Sequence, residues 1–122
     1  MKILIIDDSN SIAMMVGQFI KELGHDSYHA TDGRDAIDMI AQEDNFDLIL
    51  LDWNMPEMDG LEFLKYNQEN SLTKTPIMMM TTENKPEKIM KALEFGAVEY
   101  IMKPFSKDVL ESKISTLKSM AA

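Results

Sequence analysis

The sequence predicts an α/β fold, with five strand-and-helix repeats wound on both faces of a parallel sheet. Short apolar runs alternate with longer stretches of helical periodicity, the signature of strands and helices taking turns around one sheet. Several of the short runs are almost continuously apolar, as strands are when helices cover both of their faces. A chain of 122 residues has room for one such core and not for two, so residues 1–122 are expected to form one domain with no output domain attached.

Strands are expected near 2–6, 26–30, 47–51, 76–80 and 98–102, the first, third and fourth being the apolar ones. The first helix is marked by Ile12, Met15, Val16, Phe19, Ile20 and Leu23 at helical spacing, with Ser9 or Asn10 to cap its start and Gly24 to close its end. Later helices are expected near 34–43, 61–68, 86–95 and 106–119. Gly96 ends the fourth, and Val109, Leu110, Ile114 and Leu117 line one face of the last. Crossovers between parallel strands are right-handed, so the loops after the strands gather along one edge of the sheet. Ligands of such sheets bind at that edge, where the strand order reverses.

Composition excludes several functions. With 21 acidic and 12 basic residues the net charge is −9, a field that repels phosphate backbones and anionic lipid heads, so neither nucleic acid nor membrane is an expected partner. No apolar run approaches the roughly 20 residues of a membrane helix. The start, Met1 to Ile6 followed directly by Asp7 and Asp8, lacks the features of a signal peptide, and a cytoplasmic location is expected. The absence of cysteine rules out disulfides, thiolate metal sites and a cysteine nucleophile. Twelve methionines are read first as flexible core fillers, with the remainder available to a partner surface.

The polar residues at the strand ends carry the chemistry. Asp7 and Asp8 follow the first strand, Asp52 the third, Thr81 the fourth and Lys103 the fifth. Taken singly, each has a structural account: Asp8-Ser9 starts a helix, Asp52 to Pro56 makes a turn, Thr81-Thr82 leads into a helix and Lys103-Pro104 stops a strand. Together they bring three carboxylates to one crevice. Such groups repel one another unless a cation sits among them, and a few carboxylates with open positions suit Mg2+ best.

These residues make the chain resemble the CheY-like receiver domain of two-component response regulators over nearly its whole length. The resemblance rests on Asp7-Asp8, on Asp52-Trp53-Asn54-Met55-Pro56-Glu57-Met58-Asp59-Gly60, on Thr81-Thr82-Glu83 and on Gly96 to Phe105. It implies a flavodoxin-like (βα)5 doubly wound parallel sheet of strand order 2-1-3-4-5. Asp52 would be the phosphoacceptor, attacking a phosphohistidine of a histidine kinase to give an acyl phosphate. Mg2+ would be held by Asp7, Asp8, Asp52 and the backbone carbonyl of Asn54. Lys103, after a cis Lys103-Pro104 bond, would pair with a phosphoryl oxygen, and Thr81 would donate its hydroxyl to another. Tyr100 would be the aromatic switch that responds to Thr81, and Gly60 would supply a positive backbone angle near the site.

The resemblance further implies a signalling phosphoprotein rather than an enzyme, with Mg2+-dependent self-phosphorylation and self-dephosphorylation only. Trp53, Asn54 and Glu83 agree with the chemotaxis type, whose target is the flagellar motor switch protein; a stand-alone phosphorelay intermediate is the alternative, and a phosphatase is a possible further partner. Thr82 stands where the family more often has alanine or glycine, so access to the site, and with it the phosphoryl lifetime, is open. Two other classes fit less well. A phosphohydrolase of the haloacid dehalogenase type needs a second acid where Asn54 stands, and an FMN carrier needs phosphate donors where Asp7 and Asp8 stand. His25 and His29, about 13 Å apart along a strand, cannot share a metal and are expected at exposed positions.

Overall fold

The computed structural model describes residues 1–43, 45–82 and 84–121, with residues 120 and 121 described by backbone alone. The elements alternate as β1 (Lys2–Ile6), α1 (Asn10–Glu22), β2 (Asp26–Ala30), α2 (Gly33–Gln42), β3 (Leu48–Asp52), α3 (Gly60–Asn70), β4 (Ile77–Thr81), α4 (Pro86–Glu94), β5 (Glu99–Met102) and α5 (Lys107–Ala121). The five strands are all parallel and lie in the order β2-β1-β3-β4-β5. The sequence pattern predicts the parallel α/β class, and the strand order is the flavodoxin-like one that the family resemblance implies.

Successive side chains of a strand point to opposite faces, and the core divides accordingly. Leu4, Ile6, Ile49, Leu51, Ile77 and Met79 face α2, α3 and α4, packing on Ala36, Ile40, Phe63, Leu64 and Ala92. Ile3, Ile5, Leu48, Leu50, Met78 and Met80 face α1 and α5, packing on Ala13, Val16, Ile20, Leu110, Ile114 and Leu117. Phe19 of α1 and Phe105, in the turn before α5, stand with ring centroids 6.4 Å apart on that second face. Methionines divide between core and surface. Met55, Met78, Met79 and Met80 are buried, whereas Met14 and Met90 stand exposed on α1 and α4.

The main departures from the expected boundaries fall at the ends of β3 and β4, which run one residue further than the apolar runs. Asp52 pairs with Met80 and Thr81 with Met102, so backbone pairing carries both polar residues into the sheet. α3 extends to Asn70 and closes on Ser71, a left-handed residue at φ 50°. Gly24 (φ 87°) and Gly96 (φ 110°) end α1 and α4 as expected.

Gly60 does not take a positive backbone angle; among the described residues of this loop that conformation belongs to Glu57, at φ 65°. Glycine is needed at 60 for closeness. A Cβ there would lie 2.6 Å from the Asp52 carbonyl oxygen, 2.8 Å from the Met79 methyl and 3.0 Å from the Trp53 Cα. Backbone atoms cannot step aside as a side-chain tip can. Gly60→Ala is therefore expected to lose about 1–3 kcal/mol of stability despite alanine's better helix propensity. Urea unfolding checks this, and unchanged stability would show that α3 can shift on the sheet.

Candidate functional site

The crevice is built from strand ends. Asp7 leaves β1 with its amide bonded to the Ala30 carbonyl at 3.1 Å, while the His29 Nε2–H donates to the Asp7 carbonyl at 2.7 Å. Backbone on both sides thus fixes where its carboxylate points. Oδ1 accepts the Ser9 amide at 2.9 Å and Oδ2 accepts the Lys103 ammonium at 3.2 Å. Ser9 is the α1 cap, its hydroxyl accepting the Ile12 amide at 3.3 Å, so Asp8 is free of that duty and lies exposed at the rim.

Asp52 is the last residue of β3, and its Oδ1 accepts the Lys103 ammonium at 2.7 Å. Asp7 is completely buried and Asp52 is 6% exposed, so the Lys103 Nζ bridges two carboxylates that water barely reaches. Lys103 is held there by its amide, which donates to the Thr81 carbonyl at 2.8 Å, and it precedes a cis bond to Pro104 as the resemblance implies. Thr81 is buried at the adjacent strand end.

Asp7, Asp8 and Asp52 each offer an oxygen within 4.8 Å of the others. Three carboxylates against one ammonium leave an excess of negative charge, and a divalent cation fits both that excess and the oxygen-only donor set. Asn54 lies exposed on the turn two residues beyond Asp52. Burial raises the Asp52 pKa above the usual carboxylate value; the hydrogen bond and charge of Lys103 oppose this, and the charges of Asp7 and Asp8 add to it. Burial pulls the Lys103 ammonium down, but its hydrogen bond and charge contact with Asp52, reinforced by Asp7, outweigh that and leave its pKa raised.

The predicted site residues fall into two groups. Asp7, Asp8, Asp52, Thr81 and Lys103 meet in the crevice, and Asn54 lies exposed in the turn that follows Asp52. Tyr100 stands apart on β5, half-buried, opposite Met79, with the Lys113 ammonium 5.0 Å from its ring centroid. Thr82 is exposed next to Thr81. Glu83 lies outside the described residues.

The two histidines are half-buried rather than exposed. The His25 Nδ1 accepts from the amino terminus at 2.9 Å, and burial followed by that positive charge lowers its pKa. His29 is the residue that sequence reasoning missed. Its contact with Asp7 arises from the register that sets it beside Ile5, which no local motif signals.

A parallel sheet of this strand order with an acidic crevice at its C-terminal edge defines the receiver class of α/β domains. A family model described as the response regulator receiver domain matches residues 3–115, and the chain belongs to that family. It is a CheY-like receiver domain of a two-component response regulator. It is 37% identical over 116 residues to a chemotaxis protein CheY homolog of Campylobacter jejuni, covering 93% of this chain and 89% of that one. The solved structure of Vibrio cholerae chemotaxis protein CheY4 is 40% identical with a TM-score of 0.86, over 94% of this chain and 96% of that one. The Francisella response regulator 1452 receiver domain is 31% identical with a TM-score of 0.88, over 99% and 98% of the two chains. No helix among the described residues is long and apolar enough to cross a membrane.

The electrostatics of the crevice predict a pH signature. A carboxyl whose folded pKa is raised favours folding while protonated, and that contribution is lost as pH rises through the folded value. Asp52 ionisation therefore costs stability at neutral pH. In EDTA, Asp52→Asn should melt above wild type at pH 7, with the gap closing toward pH 4, because Lys103 keeps Asp7 as a partner. Lys103 contributes in the opposite range: its raised pKa stabilises the fold below the ordinary lysine value of 10.5, and the contribution is lost as pH climbs through the folded value. Thermal melts across pH test both. A wild type as stable as Asp52→Asn at pH 7 would mean that Lys103 fully offsets the burial of Asp52.

Proposed function

We propose that the chain is a phosphoryl-accepting switch: Asp52 takes a phosphoryl group from a histidine kinase, and the altered surface around Tyr100 binds a target. The observation that carries this reading is a buried carboxylate at a strand end, 2.7 Å from a fixed ammonium and grouped with two further carboxylates. Phosphoryl transfer asks little covalent chemistry of a protein, so positioning and charge neutralisation dominate. Asp7, Asp8 and Asp52, with the Asn54 carbonyl, are the residues that would hold Mg2+. When bound, Mg2+ supplies neutralisation of the charge on the transferring phosphoryl group.

The remaining work falls to the chain's own side chains. An Asp52 oxygen attacks phosphorus as the phosphorus–nitrogen bond of the donor histidine breaks, and the product is an acyl phosphate. Lys103, already at the Asp52 carboxylate, pairs with a phosphoryl oxygen as a compact point charge. The Thr81 hydroxyl donates to another, and its displacement gives Tyr100 a reason to change position. Beyond its own phosphorylation and dephosphorylation, the chain is read as a signalling protein of the cytoplasm rather than an enzyme.

The Campylobacter and Vibrio relatives are named as chemotaxis proteins, and this supports the flagellar motor switch protein as target over a phosphorelay partner. Trp53 and Asn54 beside the acceptor agree with that choice.

Incubation with acetyl phosphate and Mg2+ should add one phosphoryl group by intact mass, with labelling lost in EDTA and in Asp52→Asn. Undiminished labelling of Asp52→Asn would sink the assignment. For the target, the beryllofluoride-loaded chain should bind the motor switch protein about tenfold or more tighter than the unloaded chain, and Thr81→Ala should remove the difference. Equal binding by both forms, together with phosphoryl exchange to a histidine phosphotransfer domain, would instead establish the phosphorelay role.

A further inference from the structure

The loop between β3 and α3 holds a shape that its own backbone disfavours. Glu57 sits at φ 65°, and the Met58 amide donates to the Pro56 carbonyl at 2.7 Å. Residues 56–58 therefore form a γ-turn of the rare positive-φ kind, at a non-glycine residue. The base of the loop is clipped by the Gly60 amide, which donates to the Trp53 carbonyl at 2.8 Å. Between clip and apex the side chains divide. Met55 is buried and Met58 packs half-buried against the α2, α3 and α4 face of the core, whereas Asn54, Pro56 and Glu57 are exposed.

Met58 rests on a notch in α2. A Cβ added to Gly33, the first residue of that helix, would lie 2.7 Å from the Met58 Sδ, 3.0 Å from its Cγ and 3.3 Å from its Cβ. The contact thus runs along the whole side chain and does not involve the flexible tip alone. Gly33 has no positive φ that would demand glycine, and alanine is the better helix former, so space is what the glycine provides. A strained turn persists only where its surroundings over-determine it, and Met58 on Gly33 is the packing contact next to the apex.

We propose that Met58, seated in the notch left by Gly33, is a positioning residue for the divalent cation, holding the loop so that the Asn54 carbonyl joins Asp7, Asp8 and Asp52. The inference rests on the Mg2+ reading of the crevice. Mg2+ requires near-octahedral geometry at short distances, whereas Ca2+ accepts irregular shells at longer ones. A carbonyl that drifts with its loop therefore weakens Mg2+ more than Ca2+.

Titration calorimetry of the full chain with MgCl2 and with CaCl2 tests this, alongside urea unfolding of each variant in EDTA. Gly33→Ala and Met58→Ala should each raise the Mg2+ dissociation constant about tenfold and the Ca2+ constant much less. Met58→Leu, which conserves volume, should stay near wild type. The double variant should bind Mg2+ no more weakly than Met58→Ala, since both changes break one contact. Unchanged Mg2+ affinity in Met58→Ala, or equal losses for the two ions, overturns the proposal. If Gly33→Ala fails to fold, Met58→Ala against Met58→Leu decides alone. A wild type that binds neither ion removes the metal reading itself, and the proposal with it, before any variant is compared.

Discussion

The Lys103 ammonium, 2.7 Å from Asp52 and 3.2 Å from Asp7, decides what the crevice can do. On the switch reading, the Asp52 carboxylate would have to be ionised to attack phosphorus, yet a carboxylate rigidly placed at the end of a covered strand is desolvated. These demands conflict, because burial pushes the Asp52 pKa up. A fixed cation within hydrogen-bond distance opposes that push without leaving the site. Removing it would strand two buried carboxylates facing each other, which costs far more than the pair gains by existing. On the switch reading, lysine suits the position better than arginine, because a compact ammonium could turn from a carboxylate to a phosphoryl oxygen without keeping a planar fork aligned.

The sheet is what brings these groups together. Helices cover both of its faces, so the interior of β1, β3 and β4 carries only apolar side chains, and polar residues are tolerated at the ends. Among the described residues the buried polar and charged ones are Asp7, Asp52, Thr73 and Thr81, and three of those four lie at the crevice. Their desolvation is a consequence of strand position. The same packing reaches into the loops: Gly60 lets α3 start against the Asp52 carbonyl, which leaves the end of β3 no freedom to withdraw.

The local part of this was legible in the sequence. Ile12 to Leu23 announced α1 by period alone, and Asp7, Asp8, Asp52 and Lys103 could be assigned to one edge because the strands of a parallel sheet all end on the same side. Features that depend on partners distant in the chain were not legible. Asp52 and Thr81 were expected just beyond their strands, since polarity marks the end of an apolar run, but pairing with Met80 and Met102 extends the ladder over them. Gly60 carried the right residue type for the wrong reason, because a positive φ and a close approach leave the same mark in a sequence. The contact of His29 with Asp7 follows from strand register, and the left-handed Glu57 from the packing of its loop. Neither constraint is written in neighbouring residues.

Register also bears on how a change at Asp52 would travel. Thr81 and Met79 are two residues apart on β4 and so share a face, and their partners on β5 are Met102 and Tyr100. Tyr100 packs against the α2, α3 and α4 side of the core, the side to which Thr81 is directed by the same alternation. On the switch reading, a hydroxyl drawn toward a phosphoryl group would vacate space one ladder step from the tyrosine ring. The ring has competing contacts that make two positions meaningful: the Lys113 ammonium lies 5.0 Å from its centroid and is itself paired with Glu99 at 3.3 Å. The cation at the ring favours the position seen here, while on the switch reading space opening beside Thr81 would favour another. Two packed alternatives of similar energy are what convert a local charge into a change of surface, since a close-packed interior shifts between discrete arrangements rather than deforming smoothly.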